Sequence, residues 1–346
     1  MFLFRQFGKA PSGDEYVKIK KSVNYKNNSF QNLSSTEMMT GNMSYMQLMW
    51  HFINRPSYCV PARPLPSVKT NLHNIQSSNA VIVWFGHSSY FIRVNHKNIL
   101  VDPVFSGHAS PFSFTAKSFP GANVYTVADM PPIDLLILTH DHYDHLDYDT
   151  VLRLKGKVKQ ICTSLGVGSH LRYWGFDKER IIEFDWWQER KLFDDMRLTA
   201  APARHFSGRS FTRNKSLWSS FILQTPGCNI YLGGDSGYDT HFAEIGKRFG
   251  PFEIAVLECG QYNENWKYIH MMPEQTVQAA IDLQSKMLMP VHWGKFCLSL
   301  HPWYQPAQRV QGAAKERGQA ITTPYIGEPV ILNENYPATQ WWQQFV

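Results

Sequence analysis

Short apolar runs separated by turn-forming residues fill the chain from residue 80 onward. The run "IDLLILT" (133–139) is almost continuously apolar, which predicts a strand buried on both faces. Helical patterns lie between several runs, and "PEQTVQAAIDLQSK" (273–286) is the clearest because Pro273 suits a first helical turn. The other runs predicted as strands are "AVIVWF", "YFIRV", "NILVD", "QICTS", "RIIEFD", "RLTAAPA", "SFILQ", "NIYLGG", "EIAVLE" and "MLMPVH". This alternation predicts one layered α/β domain over residues 80–346, and it leaves the strand order open.

Residues 1–79 form a polar region rich in Asn, Ser and Pro, which predicts an irregular N-terminal arm packing on the main domain. Inside it, "MSYMQLMWHFI" (43–53) places Met46, Met49, Trp50 and Ile53 at helical spacing, as in a short amphipathic helix. The favoured interpretation is that this stripe packs the arm onto the domain. The alternative is a lipid-contacting surface, because Met and Trp adapt to apolar ligands.

Composition narrows the class of protein. Hydrophobic residues make up 43% and charged residues 18% of the 346 residues, as in a globular fold. The net charge of +6 includes no long basic block, which argues against a nucleic-acid partner and is compatible with an anionic substrate or membrane surface. The start "MFLFRQFGK" is too short for a signal peptide, and five scattered cysteines indicate reduced thiols. We therefore expect a protein of the cytoplasm or the periphery of the inner membrane. The sequence is compatible with a homo-oligomer. It does not determine whether a membrane anchor was removed.

The stretch "THDHYDH" carries the strongest chemical signal. His140, His142, Asp144 and His145 directly follow the buried run "IDLLIL", and ligands of α/β sheets gather at such strand ends. Four such groups desolvated together are costly without a cation, so the spacing predicts a divalent metal site. Imidazole and carboxylate ligands suit Zn²⁺, with Mn²⁺ or Fe as competitors. The structural alternative is a solvated acidic loop.

Three further ligand-type residues each follow an apolar run: His205, Asp235 and His292. This repeated placement predicts that they converge with the first group at one sheet edge. Seven ligands exceed the four of a tetrahedral zinc and suit two metals. Two metals about 3.5–4 Å apart would share a bridging hydroxide, a nucleophile at neutral pH.

The motif H-x-H-x-D-H, followed by a His, "GGDSG" and "PVHWG", resembles the metallo-β-lactamase fold of dinuclear hydrolases. A narrower resemblance, over roughly Val81 to Pro306, is to the N-acyl-phosphatidylethanolamine-hydrolysing phospholipase D family and its bacterial relatives. The segments that carry it are "WFGHSSYFIRV", "VDPVFSGHASP", "PPIDLLILTHDHYDHLDYDT", "FDWWQER", "GGDSGYDTHFAEIGKRFGPFEIAVLECGQY", "HMMPEQ" and "HWGKF".

The resemblance implies an αββα sandwich holding two Zn²⁺ between the edges of two sheets. It assigns His140, His142 and His205 to one metal, assigns Asp144, His145 and His292 to the other, and makes Asp235 the bridge between them.

The resemblance also places a histidine of the active site at His270, as a group that orients or protonates the substrate. Asp144, Asp235 and His270 are therefore the candidate catalytic residues. For His270, the structural alternative is packing at a helix start.

Other residues near these motifs have weaker signals. His87 is equally compatible with a turn and with a contact to the metal site. Asp102 is expected to stabilise a turn, with support of a ligand histidine as the alternative. Arg209, Arg213 and Lys215 are candidates for a basic rim that receives a phosphate, or for a solvated loop.

These observations lead to three hypotheses. The first is a zinc-dependent phosphodiesterase that cleaves N-acyl-phosphatidylethanolamine-like lipids by a metal-bridging hydroxide, with peripheral membrane contact. The second is a lactonase or small phosphodiester hydrolase of the same fold, which a small polar pocket would favour over an apolar groove. The third is a metal-binding protein without catalysis, which a missing ligand would indicate.

Overall fold

The computed structural model of the chain describes residues 5–41, 43–193, 195–210 and 212–345. Its strands are β1 (Tyr25–Lys26), β2 (Ser29–Phe30), β3 (Val81–Trp84), β4 (Tyr90–Val94), β5 (Lys97–Val101), β6 (Ile133–Leu138), β7 (Val158–Ser164), β8 (Ile181–Phe184), β9 (Glu189–Phe193), β10 (Met196–Ala201), β11 (Ser220–Thr225), β12 (Cys228–Leu232), β13 (Ile254–Glu258), β14 (Leu288–Val291) and β15 (Pro329–Ile331). Its α-helices are α1 (Glu15–Ile19), α2 (Tyr45–Ile53), α3 (Tyr148–Leu154), α4 (Gly168–Tyr173), α5 (His241–Phe249), α6 (Pro273–Asp282) and α7 (Gln305–Arg317). Every run predicted as a strand is confirmed.

Two large sheets form the centre of the molecule. One has seven strands in the order β15-β3-β4-β5-β6-β7-β8, and the other has six in the order β14-β13-β12-β11-β10-β9. In the first, β5 to β8 are parallel, while β15 to β5 are antiparallel. In the second, β12 to β14 are parallel, while β9 to β12 are antiparallel. Each sheet therefore joins a hairpin region to a parallel region.

Alternate residues of the strands face different layers. On β3, Ile82 and Trp84 belong to the core shared with the six-stranded sheet, whereas Val81 and Val83 pack with residues of α3 and α4. This alternation follows from the two-residue period of a strand. Helices α5 to α7 contribute to the first core, on the side of the six-stranded sheet. The predicted α/β class, with helices outside two facing sheets, is confirmed.

The region before residue 80 contacts the rest of the chain at several places. Ile19 and Phe30 are buried in a cluster with Leu217 and Trp218, and the Leu65 amide donates to the carbonyl of Pro120. The boundary between an arm (1–79) and a main domain (80–346) stays a prediction. Within the described residues, no helix has both the length and the hydropathy needed to cross a bilayer.

Helix α2 corrects one expectation. It begins at a capping box formed by Ser44 and Gln47, and the helix is where the spacing predicts it. However, Met46, Met49, Trp50 and Ile53 are 60–82% exposed, so the stripe does not pack onto the domain. We call these four residues the α2 apolar face. The helix also carries apolar residues on a second side. This second side, with Leu48 and Phe52, is the one that faces the protein. Periodicity identifies a helical face but not which face the fold covers.

Candidate metal centre

All seven predicted ligands lie in loops directly after strands. The "THDHYDH" loop follows β6, an interior strand of the seven-stranded sheet, and the three remaining predicted ligands follow β10, β12 and β14 of the six-stranded sheet. The loops meet between the two sheets. The residues brought together are His140, His142, Asp144, His145, His205, Asp235 and His292.

Four of them form a first cluster: His140, His142, His205 and Asp235, whose ligand atoms lie within 4.8 Å of one another. The Nε2 atoms of His140 and His205 are 3.9 and 3.7 Å from Asp235 Oδ2. The Nε2 atom of His205 is 3.2 Å from His142 Nδ1. Three imidazoles and one carboxylate oxygen therefore converge on a small common volume.

A second cluster holds His87, Asp144, His145 and His292. The other oxygen of Asp235, Oδ1, lies 3.1 Å from both His145 Nε2 and His292 Nδ1. The two oxygens of Asp235 thus face different clusters, as the bridging position requires. His87 belongs to this group as well, since its Nε2 is 2.9 Å from Asp144 Oδ2. The geometry therefore favours the site role for His87 over the turn role.

His87 and His292 also tie the two sheets together across the site. The amide of His292 donates to the carbonyl of His87, and the amide of His87 donates to the carbonyl of Trp293, both at 2.9 Å. Both histidines adopt left-handed backbone conformations, with φ of 54° and 68°. This geometry is uncommon for residues other than glycine and is characteristic of functional sites.

Unpaired polar atoms test whether a metal fits. His87 Nδ1, His140 Nε2, His145 Nε2 and Asp235 Oδ1 are buried and form no hydrogen bond in the described part of the chain. His145 Nε2 and Asp235 Oδ1 are close, but they lack hydrogen-bonding geometry. Buried polar atoms are normally paired, so several orphans pointing at one another indicate ligands of a cation. The donor set fits a divalent transition metal.

Protonation states agree with this fit. Burial lowers the pKa of His140, His205 and His292 well below the usual histidine value, so these imidazoles are neutral, as metal ligands are. Burial alone would raise the pKa of the Asp235 carboxyl, but the adjacent His145 holds it well below the usual range. Burial would likewise lower the pKa of His145, but Asp235 and Asp144 raise it well above the usual range. A cation that binds His145 would have to displace this proton, because only the neutral imidazole is a ligand.

His270 lies beside both clusters. Its ring centroid is 5.1 Å from those of His205 and His292. Its Nδ1 atom is 3.0 Å from Oε2 of Glu258, a carboxylate that the sequence analysis did not single out. The structure therefore brings the third candidate catalytic residue to the edge of the metal-ligand clusters, together with an unpredicted partner.

A cavity of about 300 Å³ opens onto these ligands. One wall carries His142, Asp144, His205, Asp235 and His292, with His270 beside them. The remaining wall is mostly apolar and comes from several segments, including the region before residue 80. Its apolar members are Met38, Met39, Leu48, Phe52, Phe206, Trp266, Ile269 and Leu298. The predicted metal ligands, of the kind found in metallohydrolases, therefore share one cavity with an apolar wall.

A family model described as "Beta-lactamase superfamily domain" matches residues 97–293, more than half of the chain. The chain belongs to the metallo-β-lactamase superfamily. An uncharacterized protein of Mycobacterium tuberculosis is 37% identical over 329 residues, which cover 94% of this chain and 88% of that protein.

A second relative is the mitochondrial N-acyl-phosphatidylethanolamine-hydrolyzing phospholipase D of Saccharomyces cerevisiae, 32% identical over 245 residues. The match covers 68% of this chain and 52% of that relative. Among solved structures, Igni18, a metallo hydrolase of Ignicoccus hospitalis, has a TM-score of 0.58 at 21% identity over 74% of this chain and 100% of that one. The structural likeness confirms the fold. This superfamily member is a metal-dependent hydrolase.

Asp102 contacts the ring of His145, one of the predicted ligands, at the nitrogen opposite the one that faces Asp235. Its Oδ2 is 2.7 Å from His145 Nδ1 and accepts from the Thr139 hydroxyl at 2.6 Å, while Oδ1 accepts from the Thr139 amide. From its place before Pro103, Asp102 was expected to stabilise a turn. The structure instead places the buried carboxylate where it fixes the orientation of the His145 ring.

Replacing Asp102 by Asn should lower metal affinity by about 10- to 100-fold, because the amide keeps the size but loses the charged acceptor for His145. Competition with a chromophoric chelator measures this affinity. Asp134→Asn is the control, since Asp134 pairs with Lys159 away from the ligands. An unchanged affinity in the folded Asp102→Asn protein would show that the contact does not support the ligand.

The candidate basic rim is only partly present. Arg209 is 4% exposed and donates to the carbonyls of Asp141 and Leu146, so it belongs neither to a basic rim nor to a solvated loop. Its guanidinium satisfies loop carbonyls beside the ligands, which sequence alone does not reveal. Lys215 donates to the carbonyl of Asn28. Arg213 is the one of the three that lines the cavity.

Proposed function

We propose that this protein is a zinc-dependent phosphodiesterase of the phospholipase D type. Its substrate is an N-acyl-phosphatidylethanolamine-like lipid, which it hydrolyses to phosphatidic acid and an N-acylethanolamine. The observation that carries the proposal is the shared cavity, in which the metal-ligand clusters face an apolar wall. The phospholipase D activity named for the yeast relative supports the same chemistry.

The chain supplies ligands for two metal ions. His140, His142 and His205 would hold one, Asp144, His145 and His292 would hold the other, and Asp235 lies where it would contact both. When bound, two zinc ions supply a nucleophile at neutral pH and neutralise charge on phosphoryl oxygens. The same residues would also suit Mn²⁺ or Fe.

Arg213 provides a phosphate contact in this proposal. It lines the cavity, with its guanidinium 5.5 Å from the centroid of the Phe206 ring. Its guanidinium donates to the Met38 sulfur at 3.3 Å, and in the described part of the chain it forms no ion pair with a carboxylate. A guanidinium left without an anion at the edge of a metal site is suited to bind a phosphate oxygen.

The apolar wall contacts part of an acyl chain, because the cavity is too small for a whole lipid. A volume of about 300 Å³ is at the low end of small-molecule sites and cannot enclose a phospholipid. Most of each acyl chain must therefore stay in the lipid phase. Helix α2 connects the two environments, because Leu48 and Phe52 line the cavity while the α2 apolar face is exposed. We therefore assign to this face a peripheral contact with the lipid surface.

The first test is release of phosphatidic acid from N-acyl-phosphatidylethanolamine micelles by the zinc-loaded protein. The control is the same protein after chelation. Release that depends on the metal would establish the phosphodiesterase. If a protein with two verified zinc ions releases none, the lipid assignment fails. Lactones and small phosphodiesters, the substrates of the second hypothesis, would then be assayed with the same preparation.

The α2 apolar face is tested separately. Replacing Trp50, which is 60% exposed, by Ser should reduce cosedimentation with phospholipid vesicles, because an amphipathic aromatic side chain is lost from the contact. Hydrolysis of soluble bis(p-nitrophenyl) phosphate should stay unchanged. Equal vesicle binding by the variant and the parent protein would remove the face from the proposal.

A further inference from the structure

Glu258 is a fully buried carboxylate at the end of β13. Its neighbouring strands, β12 and β14, end just before Asp235 and His292. The residue is 0% exposed. Burying a carboxylate is costly unless it is paired, and an apolar residue at such a place is often at least as favourable for stability. Stability alone therefore does not account for a carboxylate at this position.

The Glu258 carboxylate is held in one orientation. Its Oε1 accepts from the amides of Met271 at 2.9 Å and Ser236 at 3.3 Å. The backbone carbonyl of Glu258 accepts from the Thr276 hydroxyl, which fastens the strand end to α6. Because Oε1 already accepts from two amides, the carboxylate cannot rotate freely. Its second oxygen, Oε2, therefore points in a fixed direction.

The partner of this second oxygen is His270, whose Nδ1 lies 3.0 Å from Oε2. The other ring nitrogen, Nε2, has no hydrogen-bond partner among residues 5–41, 43–193, 195–210 and 212–345, and the His270 side chain keeps 13% exposure where it lines the cavity. The ring packs nearly parallel to that of His292, at 21°. Because Nδ1 faces Glu258, Nε2 is the ring nitrogen of His270 that is available to a molecule in the cavity.

We infer that Glu258 is the positioning residue of His270: it fixes the imidazole so that Nε2 faces the scissile group of the substrate. His270 touches substrate in this arrangement, and Glu258 acts only through it. The inference rests on the proposed metal centre and does not depend on the lipid. Productive placement of a group beside a reacting centre affects turnover more than binding.

The test is a double-mutant cycle with Glu258→Gln, His270→Ala and both together, each loaded with zinc. Glu258→Gln should lower kcat on the order of 10- to 100-fold, with KM within about threefold of the parent value. In the His270→Ala background, Glu258→Gln should cost almost nothing, because its target is gone. Glu253→Gln is the matched control, since Glu253 directly precedes β13 and pairs with Lys286.

Metal content separates positioning from ligation, because Asp235, Glu258, His270 and His292 also lie close enough to share an ion. Unchanged zinc per chain is expected in Glu258→Gln, and loss of zinc would overturn the positioning role in favour of ligation. Additive losses of kcat in the cycle would overturn it in favour of a purely structural role. Should Glu258→Gln fail to fold, Glu258→Asp keeps the carboxyl group and is judged by the same criterion of non-additivity.

The cycle uses bis(p-nitrophenyl) phosphate, or any ester or lactone that the parent enzyme hydrolyses faster. Absence of phosphodiester turnover by the parent enzyme counts against the proposed function only. Additive losses on any substrate count against the Glu258–His270 pair only.

Discussion

Asp235→Asn should reduce kcat/KM by at least about 10³-fold and lower the metal content of the purified protein. Asp235 is the residue at which the two clusters meet, with Oδ1 3.1 Å from His145 and His292 and Oδ2 3.7 Å from His205. An amide offers one neutral oxygen where the carboxylate offers two charged ones. Its NH₂ group would also place donors against positions where a cation should lie.

Elemental analysis of the variant and steady-state hydrolysis measure the two effects together. Asp239→Asn is a suitable control, because Asp239 lies four residues further along the same loop and faces Arg204 at 3.7 Å. That substitution should leave both the metal content and the activity close to the parent values. Full activity of Asp235→Asn with a normal metal content would refute the bridging role.

Removal of the metal should abolish hydrolysis and lower the free energy of unfolding. Without the ion, the neutral imidazoles and the buried carboxylates keep unpaired atoms such as His140 Nε2 and Asp235 Oδ1. An ion that binds only the folded state contributes about 2.7 kcal/mol when its free concentration is 100 times Kd. Thermal unfolding with and without added zinc measures this contribution.

The matched control for this experiment is the same chelator presaturated with zinc, which should change neither activity nor thermal unfolding. Adding zinc back to the stripped protein should restore both, since the ligands are placed by strand ends that the fold itself maintains. Hydrolysis that persists in protein without measurable metal would contradict a metal-dependent reaction at this site.

Much of the site was predictable because one rule repeats along the chain: an apolar run followed by a ligand-type residue. The rule identified His205, Asp235 and His292, and the structure brings them together. Applied to "EIAVLECG", it also points to Glu258, whose strand lies between β12 and β14. That residue was missed because a lone glutamate after a strand is more often solvated.

Other features depend on distant contacts that no local pattern encodes. His87 reaches Asp144 from a turn 57 positions away, and no spacing links the two. Strand β9, "ERKLF", is largely exposed and exists because it pairs with β10 at the edge of a sheet. Strand β15, at Pro329–Ile331, is three residues long and pairs with β3. Short edge strands carry little periodicity, so sequence analysis did not find them.

The two backbone hydrogen bonds that link His87 with His292 and Trp293 also affect how the ligand positions are lost on unfolding. They join the β3–β4 turn of one sheet to the end of β14 in the other, at the depth of the ligands. The two sheets cannot separate at this place unless both hydrogen bonds break. The geometry of the predicted ligands is lost in the same event. We therefore expect the ligand positions on the two sheets to be lost together, in the same cooperative transition that separates the sheets.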